Sequence, residues 1–234
     1  ISGGNLTMAH TNASEINTTD FSNLLLALHF NNESWRNEQN GSFFNDSSGN
    51  NNHGLCTGSG CPGIAFNESS NSGGIQGFAD FSVATTTNIT IQKEIGIGQN
   101  VTVLALYNSR VIAPIGCLFC NLYETTGSGS AGLALTQGGS GMIARVRTSN
   151  GTILTVTNPI NFAANQWFIN AMTTNYSDGV LNVTLYTMEP HEIDVRGSSA
   201  ISPSDFYDGA GVLPYAMIGS PNITANSFNG FIDE

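Results

Sequence analysis

Residues 165–187 read NQWFINAMTTNYSDGVLNVTLYT. Two runs rich in Trp, Phe, Ile, Val, Leu, Thr and Tyr, 167–174 and 180–187, flank the turn signal Ser177-Asp178-Gly179. Branched and aromatic residues suit a pleated, half-buried surface, and a short polar Asp-Gly step reverses the chain between two such runs. The same grammar recurs along the chain. Period-two runs at 24–30, 77–81, 88–92, 101–107, 132–136, 142–148, 152–157, 215–219 and 230–232 are separated by polar steps such as Ser149-Asn150-Gly151. No long segment keeps a 3.6-residue period, and no fixed repeat argues for a propeller or solenoid. About eleven strands with short turns predict an all-β, two-sheet antiparallel sandwich.

Composition narrows the function. Apolar residues make up 40% of the 234 positions, but charged ones only 10%, with six basic against seventeen acidic and a formal charge of −11. Six scattered cations cannot assemble a phosphate-tracking surface, so nucleic acid and anionic lipid are excluded as partners. No run of about 18 apolar residues is present, so insertion into a membrane by a helix is not expected. The chain opens at Ile1 without a basic, apolar leader. The reading is a leader already removed, or a segment of a longer polypeptide.

The pattern Asn-x-Ser/Thr occurs at Asn5, Asn12, Asn17, Asn32, Asn40, Asn45, Asn67, Asn88, Asn100, Asn150, Asn175, Asn182 and Asn222. Composition alone yields about five or six such triplets in a chain this rich in Asn, Ser and Thr. The excess points to N-glycans that replace charge as the solubilising group, and hence to an extracellular, cell-surface location. Four cysteines agree with that compartment. Cys56 and Cys61 bracket Thr-Gly-Ser-Gly, and Cys117 and Cys120 enclose Leu118 and Phe119. The second spacing also suits a redox centre or half a zinc site, but the four histidines are scattered. Two local disulfides are expected, with pairing between the couples left open.

Several blocks together carry a family resemblance. LLLALHF at 24–30 and NDSSGNNNHG at 45–54 resemble the opening of laminin-G-like, concanavalin A-like jelly rolls. GFADFS at 77–82 with ITIQ at 89–92, NVTVLALY at 100–107, the 165–187 segment, and YAMIGSPNITANSFNGFIDE at 215–234 are similar to successive later blocks of that family. The Trp usual in the third block is absent. The resemblance covers about 22–234 and implies a jelly-roll domain there, with 1–21 as an N-terminal arm or linker. The family continues past Ile-Asp-Glu with a further strand, so either the polypeptide is longer or another element covers that position; Trp167 is expected to fill the core at a strand start. An edge left open there invites strand addition, so the arm is expected to donate a strand to a neighbouring copy and build a filament or sheath.

The superfamily includes endo-β-glucanases with a Glu-Ile-Asp-x-x-Glu or Glu-Ile-Asp-x-Glu pattern. This chain has HEIDVRG, with Glu192 and Asp194 two apart, but Arg196 stands where the acid is needed. An Arg cannot protonate a leaving oxygen at neutral pH, so the chain is read as a non-enzyme, with a glucanase as the distant alternative. Gly127–Gly132 and Gly138–Gly141 lack the Lys-Ser/Thr of a phosphate loop. Members of the superfamily often hold a structural Ca²⁺, which wants six to eight oxygens. Asp46, Asn50 and Asp233, with Asp80 as a further donor, are the candidate ligands; the competing reading is a loop held by Asx turns. No other cofactor is implied. For sugar binding, the aromatic residues in loop-like stretches are Trp35, Phe206 and Tyr207. The sequence thus predicts a structural or adhesive module whose partners are its own copies, cell-surface proteins or glycans, with a carbohydrate-binding module as the alternative.

Overall fold

A computed structural model describes residues 24–28, 30, 42–57, 60–65, 77–82, 87–92, 100–111, 116–121, 132–138, 141–147, 152–158, 164–189, 192–201, 216–219 and 228–233. The described residues contain strands and no α-helix. In chain order these are β1 (Phe43–Phe44), β2 (Gly54–Leu55), β3 (Gly63–Ala65), β4 (Phe78–Asp80), β5 (Ile89–Ile91), β6 (Val101–Ser109), β7 (Gly116–Cys120) and β8 (Gly132–Gly138). They continue with β9 (Gly141–Arg147), β10 (Ile153–Asn158), β11 (Trp167–Ser177), β12 (Val180–Glu189), β13 (Glu192–Ile201), β14 (Met217–Gly219) and β15 (Gly230–Asp233). Eight of them form one sheet in the order β1-β2-β5-β14-β7-β8-β9-β10, and seven form the other, β13-β12-β11-β6-β15-β4-β3. Antiparallel pairing throughout makes the molecule the expected β-sandwich.

The 165–187 segment behaves as read. β11 and β12 pair from Ile169↔Met188 to Ser177↔Val180, and Asp178 (φ 52°) with Gly179 (φ 77°) closes the hairpin. Positive φ at both central residues is the two-residue turn whose twist matches the strands. Between the sheets pack Phe30, Phe44, Phe81, Tyr107, Phe168 and Phe228, all essentially buried, with Leu181, Val183 and Leu185 of β12. Tyr107 lies 5.8 Å from Phe228, edge to face, and 6.0 Å from Phe168.

A buried polar chain runs through this core. Asn170 Nδ2 donates to Tyr107 Oη at 2.7 Å, Thr187 Oγ1 donates to Asn170 Oδ1 at 2.5 Å, and Asn158 Nδ2 donates to Thr187 Oγ1 at 2.9 Å. Tyr107 Oη in turn points at Met142 Sδ, 3.2 Å away. The chain links β6, β11 and β12 of one sheet to β9 and β10 of the other. Burial holds the Tyr107 phenol well above its usual pKa, against the opposing pull of Asn170, so it remains a neutral hydroxyl.

Some elements differ from expectation. Residues 24–28 form no regular strand; Leu28 makes a single bridge to Asp46, and side chains hold the rest of this backbone. Gly116–Cys120 and Glu192–Ile201 are strands that the pattern reading missed, the second being a ten-residue edge strand. Charged residues and Gly197 mask its alternation, and its ladder to β12 shifts register between Thr184 and Tyr186, opposite Arg196 and Gly197. β15 is no edge: β6 and β4 flank it. The proposed N-terminal arm, 1–21, lies outside the described residues.

Both disulfides are local, Cys56–Cys61 and Cys117–Cys120. Three steps along a regular strand span about 10 Å. The Cα atoms of Cys117 and Cys120 are 6.1 Å apart, because β7 bulges there against β8. Bulge and bridge are one feature, and it packs with Ala134 on the outer face of the eight-stranded sheet.

Candidate functional site

Alternation along β11 sends Phe168, Asn170 and Met172 into the core and leaves Trp167, Ile169 and Ala171 on the outer face. Trp167 is therefore half-buried on the outside of the seven-stranded sheet, not in the core as expected. Sequence alone favours the other register, since Trp-Ile-Ala-Thr looks more like a core face than Phe-Asn-Met-Thr. The structure reverses this because Asn170 finds partners inside.

Register places a row of side chains across that outer face. Trp167 sits opposite Asn108, Asn108 opposite Phe231, and Phe231 opposite Asp80. With strands about 4.8 Å apart, the row runs about 14 Å. The rings form one cluster: Phe78–Phe231 at 4.4 Å, Phe78–Trp167 at 5.8 Å, and Trp167–Phe231 stacked at 6.5 Å with 28° between planes. Asn108, flanked by Trp167 and Phe231, is 7% exposed, and its Oδ1 has no partner among the described residues. Leu104 continues the apolar face toward solvent.

Charge enters at one end of the row. The Arg110 guanidinium lies 4.3 Å over the Phe231 ring, and its Nη2 is 3.3 Å from Asp80 Oδ2. Arg110 Nη1 also donates to Ser82 Oγ, which donates to Asp80 Oδ1 at 2.5 Å. The Arg110 backbone N–H is anchored on Asn229 O. The aromatic platform beside a carboxylate and a guanidinium supplies a stacking surface together with donors and acceptors, while the Asn108 amide between the rings is itself buried. The sequence reading named Asp80 only as a possible calcium donor and none of the others as a binding group. Their signal is spread over four strands, and only the sheet brings it together.

The Asp46 loop has a different role. Asp46 is 5% exposed, and its carboxylate accepts from Ala27 N (3.0 Å), Ser48 N (2.9 Å), Ser48 Oγ (2.8 Å) and Asn52 N (2.8 Å). Asn50 Nδ2 donates to Leu24 O at 2.7 Å, and Asn52 Nδ2 to Leu25 O at 2.7 Å. Side chains thus stand in for the ladder that 24–28 lacks. Asp233 is in β15 of the other sheet, and Asp80 is ion-paired to Arg110. Among the described residues no three His, Cys, Asp or Glu side chains converge to hold a metal ion. Burial raises the Asp46 pKa, but the hydrogen bonds from Ala27, Ser48 and Asn52 outweigh it and leave the carboxyl below its usual value.

Stability should depend on this group. A carboxyl lowered by folding contributes stability above its unfolded pKa of about 3.9 and loses it as pH falls through the folded value. Asp46→Asn is expected to cost about 2 kcal/mol at neutral pH. That gap should narrow as the solution is acidified below about pH 4. Chemical denaturation at several pH values checks it, and a gap that does not change with pH overturns it.

Of the glycan acceptors, Asn45, Asn88, Asn100, Asn175 and Asn182 are described, and none is buried. Asn175 and Asn182 face each other across β11 and β12, and Asn100 Oδ1 accepts the Tyr176 N–H nearby. Asn5, Asn12, Asn17, Asn32, Asn40, Asn67, Asn150 and Asn222 lie outside the described residues, as do Trp35, Phe206 and Tyr207. Glu192 and Asp194 stand two apart on β13, and the register shift falls at Arg196, where a glucanase would continue its pattern.

No family model matches the chain, and no curated protein resembles it in sequence. Solved structures do share its fold. The receptor binding domain of botulinum neurotoxin C/D mosaic serotype superposes with a TM-score of 0.57 at 13% identity, over 90% of this chain and 46% of that one. The botulinum neurotoxin type G receptor binding domain gives 0.56 at 15% identity, over 89% and 46%. The binding domain of Paraclostridial Mosquitocidal Protein 1 gives 0.52 at 14%, over 91% and 49%. The chain spans about half the length of these structures. What the chain shares with them is the β-sandwich fold.

Proposed function

We propose that this chain is an extracellular, N-glycosylated carbohydrate-binding module of the laminin-G-like, concanavalin A-like type, without catalytic activity. The observation that carries the proposal is the outward Trp167–Asn108–Phe231–Asp80 row with Arg110 over its end. Sugars present C–H faces that stack on rings and hydroxyls that need both donors and acceptors; this face offers all three. Local disulfides and the run of unburied acceptor asparagines support an oxidising, surface location. Trp35, Phe206 and Tyr207 are further positions at which contact with sugar is to be tested, and self-association through the N-terminal arm belongs to the same surface role.

The test is a glycan array read with the glycosylated chain and its variants. Trp167→Ala is expected to abolish binding while leaving the melting temperature within a few degrees, since the ring lies on the outer face rather than in the core between the sheets. Trp35→Ala, read alongside, reports whether the loop aromatic contributes. Retention of full binding by Trp167→Ala would remove the face from the proposal.

Glycan occupancy makes a separate prediction. Directly opposed residues in an antiparallel pair have Cβ atoms about 5 Å apart, too close for two branched glycans. Asn175 and Asn182 are therefore expected to be modified alternatively, with Asn175→Gln raising occupancy at Asn182. Enzymatic release in heavy-oxygen water followed by peptide mass analysis marks each occupied asparagine. Molecules marked at both would contradict the prediction.

A further inference from the structure

Resting on that reading, we infer that the ligand of the outer face is an uncharged oligosaccharide, with Arg110 and Asp80 acting together as the specificity pair. Arg110 is the only cation among the described side chains of this face. It is tied to Asp80 at 3.3 Å, hydrogen-bonded to Ser82 and laid over Phe231. The side chains stay 39% and 16% exposed, so both remain accessible from solvent. A guanidinium held this way presents its remaining N–H donors as a fixed fork, and the neighbouring carboxylate presents acceptors. One donor and one acceptor side by side match two adjacent hydroxyls of a sugar ring, one accepting from Arg110 and one donating to Asp80.

An anionic sugar fits less well. Its carboxylate or sulfate would take the Arg110 N–H groups only by coming close to the charge of Asp80. Over longer range the formal charge of −11 repels polyanions. The row from Trp167 to Asp80 is about 14 Å long, more than one ring covers, so the ligand is a short oligosaccharide with one unit on Trp167 and another at the ion pair.

Titration calorimetry with the full glycosylated chain tests this, using lactose, cellotetraose and mannotetraose against sialyllactose and sulfolactose at about 50 and about 500 mM NaCl. Binding is expected for at least one neutral sugar, with less than about a twofold change in Kd between the two salt concentrations. The charged sugars should bind at least about tenfold more weakly. Asp80→Asn and Arg110→Met should each weaken the neutral ligand about tenfold, with unchanged melting curves confirming that they fold. The wild-type salt and charge comparison decides the matter even if a variant does not fold. Tighter binding of the sialylated or sulfated sugar, weakened by salt and strengthened by Asp80→Asn, overturns the neutral assignment and leaves the carbohydrate-binding reading intact. Failure of every sugar to bind at millimolar concentration overturns both.

Discussion

Replacing Asn170 by Ala is expected to destabilise the domain by about 3–5 kcal/mol. Asn170 is fully buried and joins Tyr107 Oη to Thr187 Oγ1. Its removal leaves Thr187 without an acceptor for its hydroxyl proton and takes from Tyr107 the amide that donates to it. A void remains where the amide stood. Each buried polar group deprived of its partner costs about 1–3 kcal/mol, and the void adds to that. Tyr107→Phe removes a single hydroxyl and should cost about 1–3 kcal/mol. The two changes touch one network, so the double variant is expected to lose less than the sum of the singles. Urea denaturation of the three variants measures this. A loss below about 1 kcal/mol for Asn170→Ala would mean that the polar chain does not fasten the sheets.

Gly219→Ala should have a comparable effect for a steric reason. Gly219 has φ of +96°, a conformation that residues with a Cβ rarely adopt. A Cβ there would collide with the Phe81 ring and stand 2.7 Å from Thr87 O. Phe81 and Thr87 are both fully buried, so neither has room to retreat. Backbone strain of about 1–3 kcal/mol and overpacking of similar size together give about 2–5 kcal/mol. Gly49 is the control, with φ of +88° but no atom within 4 Å of the place a Cβ would take. Gly49→Ala should cost only about 1–2 kcal/mol. Thermal melts of the two variants separate backbone strain from crowding, and equal losses would show that crowding at Gly219 is unimportant.

The sandwich itself was legible because half-buried strands announce themselves locally. The Asp178-Gly179 turn and the runs on either side fold as read, since turn conformation and alternation depend on near neighbours. Segment 24–30 misled for the opposite reason. Its apolar run looks like a strand, yet the Asp46, Asn50 and Asn52 side chains take its backbone groups. Gly116–Cys120 was hidden by its cysteines, whose close pairing depends on a bulge that only the neighbouring strands reveal.

By itself, the sequence determined the all-β class, the hairpin, and the acidic, weakly charged composition; the local disulfide pairing it favoured but left open. These rest on residue type and short spacing. Only the tertiary structure decided which face of β11 turns inward, because a period-two strand carries two candidate core faces. Partners distant in sequence choose between them: Tyr107 and Thr187 accommodate Asn170 inside. That choice puts Trp167 outside, beside Phe231, Asp80 and Arg110 from three other segments of the chain.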